Sequence, residues 1–214
     1  MGEEVTIFID GQKIRARKGE KLLWVALDNG IYIPHLCGVR EEIHPPASCR
    51  LCFVEIEGLP EPVTSCTAPV ADGMVVHTRS PRVDRLVRSA FELLLSNHDL
   101  DCRACPKNRR CKLQEVARQR KLKLRLTRLK PLLKNLPVDD SPAAFVYDPN
   151  KCVLCGRCVR LCHVRIGVGA IGFIHRGVDR RVGTFGEVPL AKSRCIQCGE
   201  CVNVCPVGAL AYKY

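Results

Sequence analysis

Fifteen cysteines in a chain of 214 residues constrain what this sequence can fold into more than any other feature. They form three groups that leave none over: four between positions 37 and 66, three between 102 and 111, and eight after 151. Aromatic residues make up only 5% of the chain, so large aromatic side chains cannot be the main stabiliser. The odd cysteine count and the absence of a signal-peptide pattern argue against a disulfide framework. We therefore expect metal-binding thiols in a reducing compartment.

The last eight cysteines form two runs with the spacing C-x2-C-x2-C-x3-C, and a proline follows the second run. This spacing is typical of bacterial ferredoxins with two [4Fe–4S] clusters, in which the fourth cysteine of each run binds the other cluster. The predicted ligand sets are therefore interleaved: Cys152, Cys155, Cys158 and Cys205 for one cluster, and Cys162, Cys195, Cys198 and Cys201 for the other. A pair of zinc sites is the alternative, although zinc has no use for the interleaved cysteine.

The first group consists of Cys37, Cys49, Cys52 and Cys66, an arrangement of clustered cysteines plus a distant one, as in plant-type ferredoxins. The surrounding sequence predicts a hairpin of Val5–Ile9 and Lys13–Arg17 and a helix over Glu20–Asn29. Further strands are predicted at Leu51–Ile56, Val63–Cys66 and Met74–Thr78. This order is β-grasp-like and suits a [2Fe–2S] cluster. A zinc site on the same four thiols is the alternative.

The middle group is one histidine followed by three cysteines, His98, Cys102, Cys105 and Cys111. A helix is predicted over Pro81–Ser96 with Ser80 as its N-cap, and it leads directly to the histidine. Without the histidine the three cysteines would lack a fourth ligand, so ligation by His98 is preferred over a solvated side chain. The residues alone leave zinc and an iron–sulfur cluster as equal alternatives.

The formal net charge is +12, from 34 Lys and Arg against 22 Asp and Glu. That figure treats every cysteine as neutral, whereas an iron–sulfur cluster with its thiolates is net negative by about one or two units. The basic excess can therefore compensate buried anionic clusters, and it does not by itself indicate nucleic acid. No run of 18 apolar residues exists, so no membrane span is expected.

Positive charge is densest over Lys112–Lys134, where Leu122, Leu124 and Leu126 alternate with basic residues. We expect an extended arm or a short strand with one apolar side. Its basic face is either simply solvated or docked onto an acidic partner subunit. Nucleic acid is disfavoured because aromatic stacking residues are absent there. Prolines then mark a linker, at Pro131, Pro137 and Pro142.

Residues 167–172 match the dinucleotide-binding pattern G-x-G-x-x-G. A genuine dinucleotide site must follow a strand and open a helix, with an acidic residue about 20 positions later. This segment lies between the two cysteine runs, with no room for a βαβ unit. We therefore interpret it as a loop and expect NAD and flavin to bind elsewhere.

Taken together, these motifs resemble a known family. Four segments carry the resemblance: IYIPHLC at 31–37, SCRLCFVEI at 48–56, the stretch from His98 to Cys111, and DPNKCVLCGRCVRLC at 148–162. The chain, from about Val5 to Leu210, resembles the N-terminal iron–sulfur region of the complex I large subunit. It is also similar to the N-terminal regions of iron-only hydrogenases and NAD-linked formate dehydrogenases, and to the stand-alone diaphorase small subunit of NAD-reducing hydrogenases.

The resemblance implies an α+β protein with three domains. It implies a [2Fe–2S] β-grasp domain at 1–79 and a histidine-ligated [4Fe–4S] domain with basic arm and linker at 80–145. A bacterial ferredoxin-like domain with two [4Fe–4S] clusters would follow at 146–214. It also assigns His98, Cys102, Cys105 and Cys111 to a [4Fe–4S] cluster rather than zinc.

The implied function is electron transfer through one [2Fe–2S] and three [4Fe–4S] clusters, with no catalytic residue on this chain. FMN and NAD(P) are expected on a diaphorase partner, and the chemistry on a separate hydrogenase or formate dehydrogenase subunit. Both cysteine runs are complete here, whereas complex I subunits of this kind usually keep one cluster there, which favours the hydrogenase and formate dehydrogenase branch. The alternatives are a complex I-type subunit, a bifurcating transhydrogenase subunit with ferredoxin as a further partner, and, remotely, a zinc-stabilised binding protein. We expect the chain in the cytoplasm, free or peripheral to a membrane complex, without nucleic acid.

Overall fold

The computed structural model describes residues 3–213 and comprises two compact units, Met1–Phe91 and Glu92–Tyr214. The first unit contains a five-stranded mixed sheet with the strand order β2-β1-β5-β3-β4. Its strands are β1 Glu4–Ile9, β2 Gln12–Arg17, β3 Phe53–Ile56, β4 Val63–Thr64 and β5 Val75–His77. Strand β1 pairs antiparallel with β2 and parallel with β5. One short helix, α1 (Leu22–Asp28), follows the hairpin.

The predicted hairpin is confirmed, and local chemistry explains it. Alternate residues of β1 are buried, which is the pattern of a strand with one face on a core. The turn residues Asp10 and Gly11 both have positive φ, +48° and +80°, as a tight two-residue hairpin requires. The Asp10 carboxylate accepts hydrogen bonds from the backbone N–H (2.8 Å) and hydroxyl (2.5 Å) of Thr78, just past β5. Local sequence thus fixes the hairpin, and one side chain ties it to the sheet.

Helix α2 occupies Pro81–Ser96, the range predicted from the sequence. Ser80 caps it, because its hydroxyl accepts a hydrogen bond from the backbone N–H of Val83 at 3.1 Å. The first unit ends within this helix, and the second begins at Glu92. One residue, Asn97, separates the end of the helix from His98. Among residues 3–213, no helix is long and apolar enough to cross a membrane.

The second unit has short elements joined by long loops. Its helices are α3 Lys112–Arg120, α4 Arg157–Arg160, which continues as a π-helical turn over Leu161–Arg165, and α5 Glu200–Val204. Its strands form two antiparallel pairs, β6 Phe145–Tyr147 with β9 Leu210–Tyr212, and β7 Gly172–Ile174 with β8 Arg181–Gly183. The first pair joins the segment before the first cysteine run to the segment after the second. Single 3-10 turns lie at Pro149–Lys151, Gly177–Asp179, Phe185–Glu187 and Leu190–Lys192.

The basic segment is partly helical, so the prediction of an extended arm over Lys112–Lys134 is wrong for its first nine residues. Helix α3 forms there because Leu113, Val116, Ala117 and Arg120 lie on one face and are buried. The remainder, residues 121–136, has no helix or strand and is a loop with a turn at Lys121 and bends between residues 124 and 129. In it the leucines at 122, 124 and 126 are half-buried while the intervening basic residues are exposed, as the alternation indicated.

This loop, here called the arm (residues 121–136), is held at several points by the rest of the second unit. The buried carboxylate of Glu92 accepts hydrogen bonds from Thr127 (2.6 Å) and Arg128 (3.0 Å). The backbone N–H of Leu132 donates to the Ser96 carbonyl at 2.7 Å, and the Asn150 side chain bonds both backbone groups of Leu136 at 2.8 Å. These contacts fix the path of the chain between α3 and the ferredoxin-like region.

Candidate metal centres

The first set of candidate ligands lies in the first unit, on the loop between α1 and β3 and just after β4. All four thiols are buried, each no more than 4% exposed: Cys37, Cys49, Cys52 and Cys66. The sulfurs of Cys37 and Cys49 are 3.4 Å apart. Cys52 donates a hydrogen bond to Cys66, and the Cys66 thiol in turn interacts with the charges of Cys37 and Cys49. The structure therefore brings together the four residues that the sequence nominated.

Hydrogen bonding within this set favours thiolates. The pKa of Cys37 is lowered to about 5, chiefly because of the hydrogen bond between its sulfur and that of Cys49. The pKa of Cys66 is lowered in the same way by Cys52. A thiolate is the form of cysteine that binds metal. Bound iron would also hold the other two thiols deprotonated, because a coordinating thiol loses its proton to the metal charge.

His98 is suited to metal binding by its burial and by its hydrogen bonding. The residue is 6% exposed, and its Nδ1 is buried without a hydrogen-bond partner among residues 3–213. The ring also donates a hydrogen bond to the backbone carbonyl of Lys151. Burial lowers the pKa of His98, which keeps the imidazole neutral. One nitrogen free and the other oriented by a carbonyl is the usual arrangement of a metal-binding histidine.

The three cysteines that follow His98 are also grouped. Burial raises the pKa of Cys111, and the neighbouring thiols of Cys105 and Cys102 add to the rise. Helix α3 begins directly after Cys111, and its first backbone N–H, on Lys112, donates to the carbonyl of Pro206 at 2.9 Å. This hydrogen bond ties the cysteine loop to the end of the second ferredoxin-like run.

The two ferredoxin-like runs have the same backbone geometry. Leu154 and Gln197, each the residue before the second cysteine of its run, both have φ of +54°. The glycines that follow those cysteines, Gly156 and Gly199, both have φ of +76°. In both runs the backbone N–H two residues after the first cysteine donates to that cysteine's sulfur at 3.4 Å. Backbone N–H groups aimed at cluster sulfurs are one means by which proteins tune cluster potentials.

The fourth cysteine of each run lies with the other run. Burial raises the pKa of Cys152 to about 12, and the Cys155 and Cys205 thiols contribute to the rise. For Cys195, burial is again the main cause of a raised pKa, and Cys162 contributes. A single cavity of about 390 Å³ is lined by all four thiols of the second set, Cys162, Cys195, Cys198 and Cys201. Among residues 3–213, no three His, Cys, Asp or Glu side chains surround one point closely enough to hold a lone metal ion.

Two residues near these thiols were not predicted from the sequence. The Lys151 ammonium group forms ion pairs of 2.9 Å with both Asp99 and Asp148, and its side chain is only 13% exposed. Gly208 lies so close to the middle group that a Cβ there would be 2.4 Å from the Cys105 sulfur. The sequence signals available for them were their positions: Lys151 directly precedes the first cysteine run, and Gly208 follows soon after the second. Asp99, one of the two partners of Lys151, and Cys105, the neighbour of Gly208, lie about 50 and 100 positions away in the chain, so the sequence alone did not reveal these contacts.

The glycine-rich segment at 167–172 is a loop, as interpreted from its position. Gly167 and Gly169 have φ of +76° and +59°, and strand β7 follows rather than a helix. A Cβ at Gly169 would be 3.1 Å from the His163 ring, so this glycine allows a close approach of the loop to α4 and its π-helical turn. Its glycines thus serve local packing.

Comparison with known families agrees with the three cysteine groups. Residues 2–81 match a 2Fe-2S iron-sulfur cluster binding domain. Residues 88–123 match the NADH-ubiquinone oxidoreductase-G iron-sulfur binding region. Residues 151–209 match a 4Fe-4S dicluster domain. The chain is therefore a mixed α/β protein that combines a 2Fe-2S domain with 4Fe-4S domains.

Individual relatives lead to the same family. The chain is 37% identical over 191 residues to the NADPH-Fe(3+) oxidoreductase subunit alpha of Geobacter sulfurreducens, with 87% of this chain and 22% of that protein covered. It is 39% identical over 182 residues to an NADH-quinone oxidoreductase subunit of Rhizobium meliloti, with 85% and 21% covered. The chain thus spans only about a fifth of the length of these curated relatives.

A solved structure covers nearly the whole chain. A chain in the crystal structure of NAD+-reducing [NiFe]-hydrogenase in the H2-reduced state superimposes with a TM-score of 0.84 at 31% identity. The match includes 98% of this chain and 87% of that one. This chain therefore belongs to the family of iron–sulfur subunits that includes the matching chain of that hydrogenase and the corresponding regions of NADH-quinone oxidoreductase subunits.

Proposed function

We propose that this chain carries electrons between a flavin- and NAD(P)-binding diaphorase subunit and a separate catalytic subunit, a hydrogenase or a formate dehydrogenase. It would do so with one [2Fe–2S] and three [4Fe–4S] clusters. Such clusters, when bound, supply one-electron carriers whose potentials depend on ligand type, hydrogen bonding and burial. The relative from an NAD+-reducing hydrogenase supports this branch.

The observation that carries the proposal is the interleaving of the two cysteine runs. Cys205 lies with Cys152 and Cys158, and Cys162 lies with Cys195 and Cys201. A pair of independent zinc sites would not need this exchange. In the proposal each exchanged cysteine completes the cluster of the other run, and the remaining two sets bind the clusters of the N-terminal and middle domains. Domain boundaries near residues 80 and 145 follow from this division.

The chain's own residues have definite roles in this proposal. The thiolates and His98 hold the clusters, and His98 is oriented by the Lys151 carbonyl. The backbone N–H groups of Leu154 and Gln197 donate to cluster-binding sulfurs. Where the thiols are buried, as all four of the first set are, the exclusion of water strengthens these charge interactions. A neutral imidazole in place of a thiolate should raise the potential of the cluster that His98 binds.

A complex I-type NADH dehydrogenase subunit is the second candidate, favoured by the similarity to the Rhizobium NADH-quinone oxidoreductase subunit. In either case we propose a cytoplasmic protein, free or peripheral to a membrane complex. The two candidates differ in the metal that accompanies the chain.

Metal analysis of the native complex, purified anaerobically through a tag on this chain, tests the proposal. About 14 iron atoms per chain, before any iron of the partners, are expected for one [2Fe–2S] and three [4Fe–4S] clusters. Added nickel would identify a nickel–iron hydrogenase, and molybdenum or tungsten a formate dehydrogenase. Zinc with little iron would refute the proposal.

A second test addresses the interleaving itself. Cys205→Ser and Cys152→Ser should change the same [4Fe–4S] signal in electron paramagnetic resonance (EPR), and Cys195→Ser should change the other. The exposed residue Asn203 on α5 provides the control, because Asn203→Ala should leave both signals intact. If Cys205→Ser changed the signal that Cys195→Ser changes, the proposed ligand sets would be wrong.

A further inference from the structure

Positive charge is concentrated in the arm and in the end of helix α3 that leads into it. Residues 116–138 contain eight Lys and Arg and no Asp or Glu. Arg128 pairs with the buried Glu92, and Arg120 is itself buried. Four other cations of the arm are exposed and form no ion pair within residues 3–213: Lys121, Lys123, Arg125 and Lys130.

The carboxylates that border this stretch of the chain do not neutralise these four charges. On the N-terminal side, Glu115 pairs with Lys112 at 2.7 Å. On the C-terminal side, Asp139 accepts two hydrogen bonds from backbone N–H groups. Asp140 is exposed, but it lies ten positions beyond Lys130. The arm therefore stays positive when the carboxylates on both sides of it are counted.

Leucine side chains are exposed next to these cations. Leu129, Leu132 and Leu133 are 38%, 54% and 44% exposed. Apolar area left in water forgoes about 25 cal/mol per Å² of burial. Exposed apolar side chains that cluster and are bordered by polar ones mark interaction sites. The arm thus offers a partner both unpaired charge and apolar area.

The arm is fixed in place by its own chain. The Glu92 carboxylate holds Thr127 and Arg128, and the Ser96 carbonyl holds the backbone of Leu132. A partner that binds a segment already ordered pays less conformational entropy than one that must order it. The anchors therefore make the arm a preorganised surface rather than a loose basic tail.

The chemistry of the arm favours an acidic protein segment over other anionic partners. Residues 112–138 contain no Phe, Tyr or Trp to stack on bases, which disfavours nucleic acid. Insertion into lipid is disfavoured because irregular backbone there must satisfy its polar groups, and within residues 3–213 the N–H groups of Lys123, Leu124 and Arg125 have no hydrogen-bond acceptor. A second copy of this chain would carry the same net charge of +12 and be repelled. A segment with Asp and Glu beside apolar side chains complements both the cations and the leucines.

We propose that this region, here called the arm surface, is the docking site of an acidic segment of a partner subunit. Its members are Lys121, Lys123, Arg125, Lys130, Leu132 and Leu133. The inference rests on the proposed function, because it requires that this chain works in a complex with a separate subunit. It does not require that any cluster is bound, so iron content and retention of the subunit report on the two claims separately.

The test uses the native complex, purified anaerobically through a tag on this chain. In Lys123→Glu/Arg125→Glu, two exposed cations become anions, which repel an acidic segment. Lys13→Glu/Arg15→Glu is the matched control, because β2 also presents two exposed cations on either side of an aliphatic residue, Ile14. We expect the test variant to lose one acidic subunit at least tenfold relative to wild type and the control to retain it. Both variants should keep wild-type iron content and EPR spectra.

Crosslinking identifies the segment that binds. A photo-crosslinking amino acid at position 132 should join this chain to an Asp- and Glu-rich peptide of the subunit that the test variant loses. Replacement of the acidic residues of that peptide by lysine should restore the subunit to Lys123→Glu/Arg125→Glu.

The outcomes separate the docking site from the proposed function. Retention of every subunit by the test variant, or equal loss in the control, would refute the docking site alone. Wild-type protein without iron–sulfur signals would refute the proposed function, whereas selective loss of the subunit from the test variant would still support docking. Wild-type protein that purifies without any other subunit would refute both. Binding to duplex DNA, or to vesicles of equal parts phosphatidylserine and phosphatidylcholine, that needs the two cations while no protein is crosslinked would also overturn the docking site.

Discussion

Gly208 offers a sharp test of the middle cluster, because a single methyl group there collides with a candidate ligand. A Cβ at this position would lie 2.4 Å from the Cys105 sulfur and 3.6 Å from Cδ of Lys151. Ordinary van der Waals contact begins near 3.4 Å, so the sulfur and the glycine must separate by about 1 Å in Gly208→Ala. The φ of Gly208 is not positive, so alanine adds no backbone strain of that kind.

Neither side of this contact can move freely. The backbone around Gly208 is fixed by hydrogen bonds from Lys112 to the Pro206 carbonyl (2.9 Å) and from Asp148 to the Ala209 carbonyl (2.8 Å). Cysteine is short and a bound sulfur is fixed further, since metal–ligand distances hold to within about 0.2 Å. A displacement of about 1 Å exceeds that tolerance roughly fivefold. We therefore expect Gly208→Ala to lose the cluster of the middle group, and overpacking to cost about 1–3 kcal/mol of stability.

Iron analysis and EPR of the anaerobically purified protein measure this outcome. The loss of about four iron atoms per chain and of one [4Fe–4S] signal is expected, with the other signals retained. Gly172→Ala is the matched control, because no atom lies within 4 Å of a Cβ at that glycine and its φ is not positive. Full iron content and an unchanged spectrum in Gly208→Ala would show that the Cys105 sulfur is free to move and is not held by a cluster.

Individual residues give four further predictions. Lys151→Met should lower the potential of the middle cluster by about 50–100 mV in a redox titration, since two unit charges about 8 Å apart at an effective dielectric constant of 20 interact by about 2 kcal/mol. An unchanged potential would place the Lys151 charge too far from the cluster to act. His98→Cys should keep that cluster but lower its potential, and a titration with no signal lost or shifted would exclude His98 as a ligand. Cys37→Ala should abolish the [2Fe–2S] signal and spare the others, so an unaltered spectrum would refute the first ligand set. Glu92→Gln should speed proteolysis of the arm and lower the free energy of unfolding by about 1–2 kcal/mol. This loss is smaller than that of a fully buried charged hydrogen bond, because Arg128 is half-exposed. Glu61→Gln is the exposed control, and equal proteolysis rates of the two variants would contradict the anchoring of the arm by Glu92.

Local sequence was sufficient where the structure depends on local chemistry. The β1–β2 hairpin and α2 form where they were predicted, since the turn residues and the Ser80 cap fix them. Strand β3 begins at Phe53 rather than at Leu51, because the cysteine loop before it includes Arg50 at φ +52°. Helix α1 begins at Leu22 rather than at Glu20, because Lys21 forms a β-bridge with Pro69.

Contacts between segments far apart in the chain could not be predicted from the sequence. The pairing of β6 with β9 joins residues more than 60 positions apart through strands of only three residues, too short for a periodic signal. The same limit applies to Lys151 and Gly208, whose importance comes from neighbours far along the chain. The candidate ligand residues could be named because their spacing is itself the signal, whereas their assignment to particular clusters stays a prediction until spectra test it.

The exchange of Cys162 and Cys205 between the two runs also has a consequence for assembly. If each run completes the site of the other, neither cluster has its full ligand set until both runs are folded against each other. Filling of the two sites is then cooperative, because binding at one site organises a ligand of the other. Half-filled protein should be scarce at equilibrium, and chemical damage to one site should release iron from both.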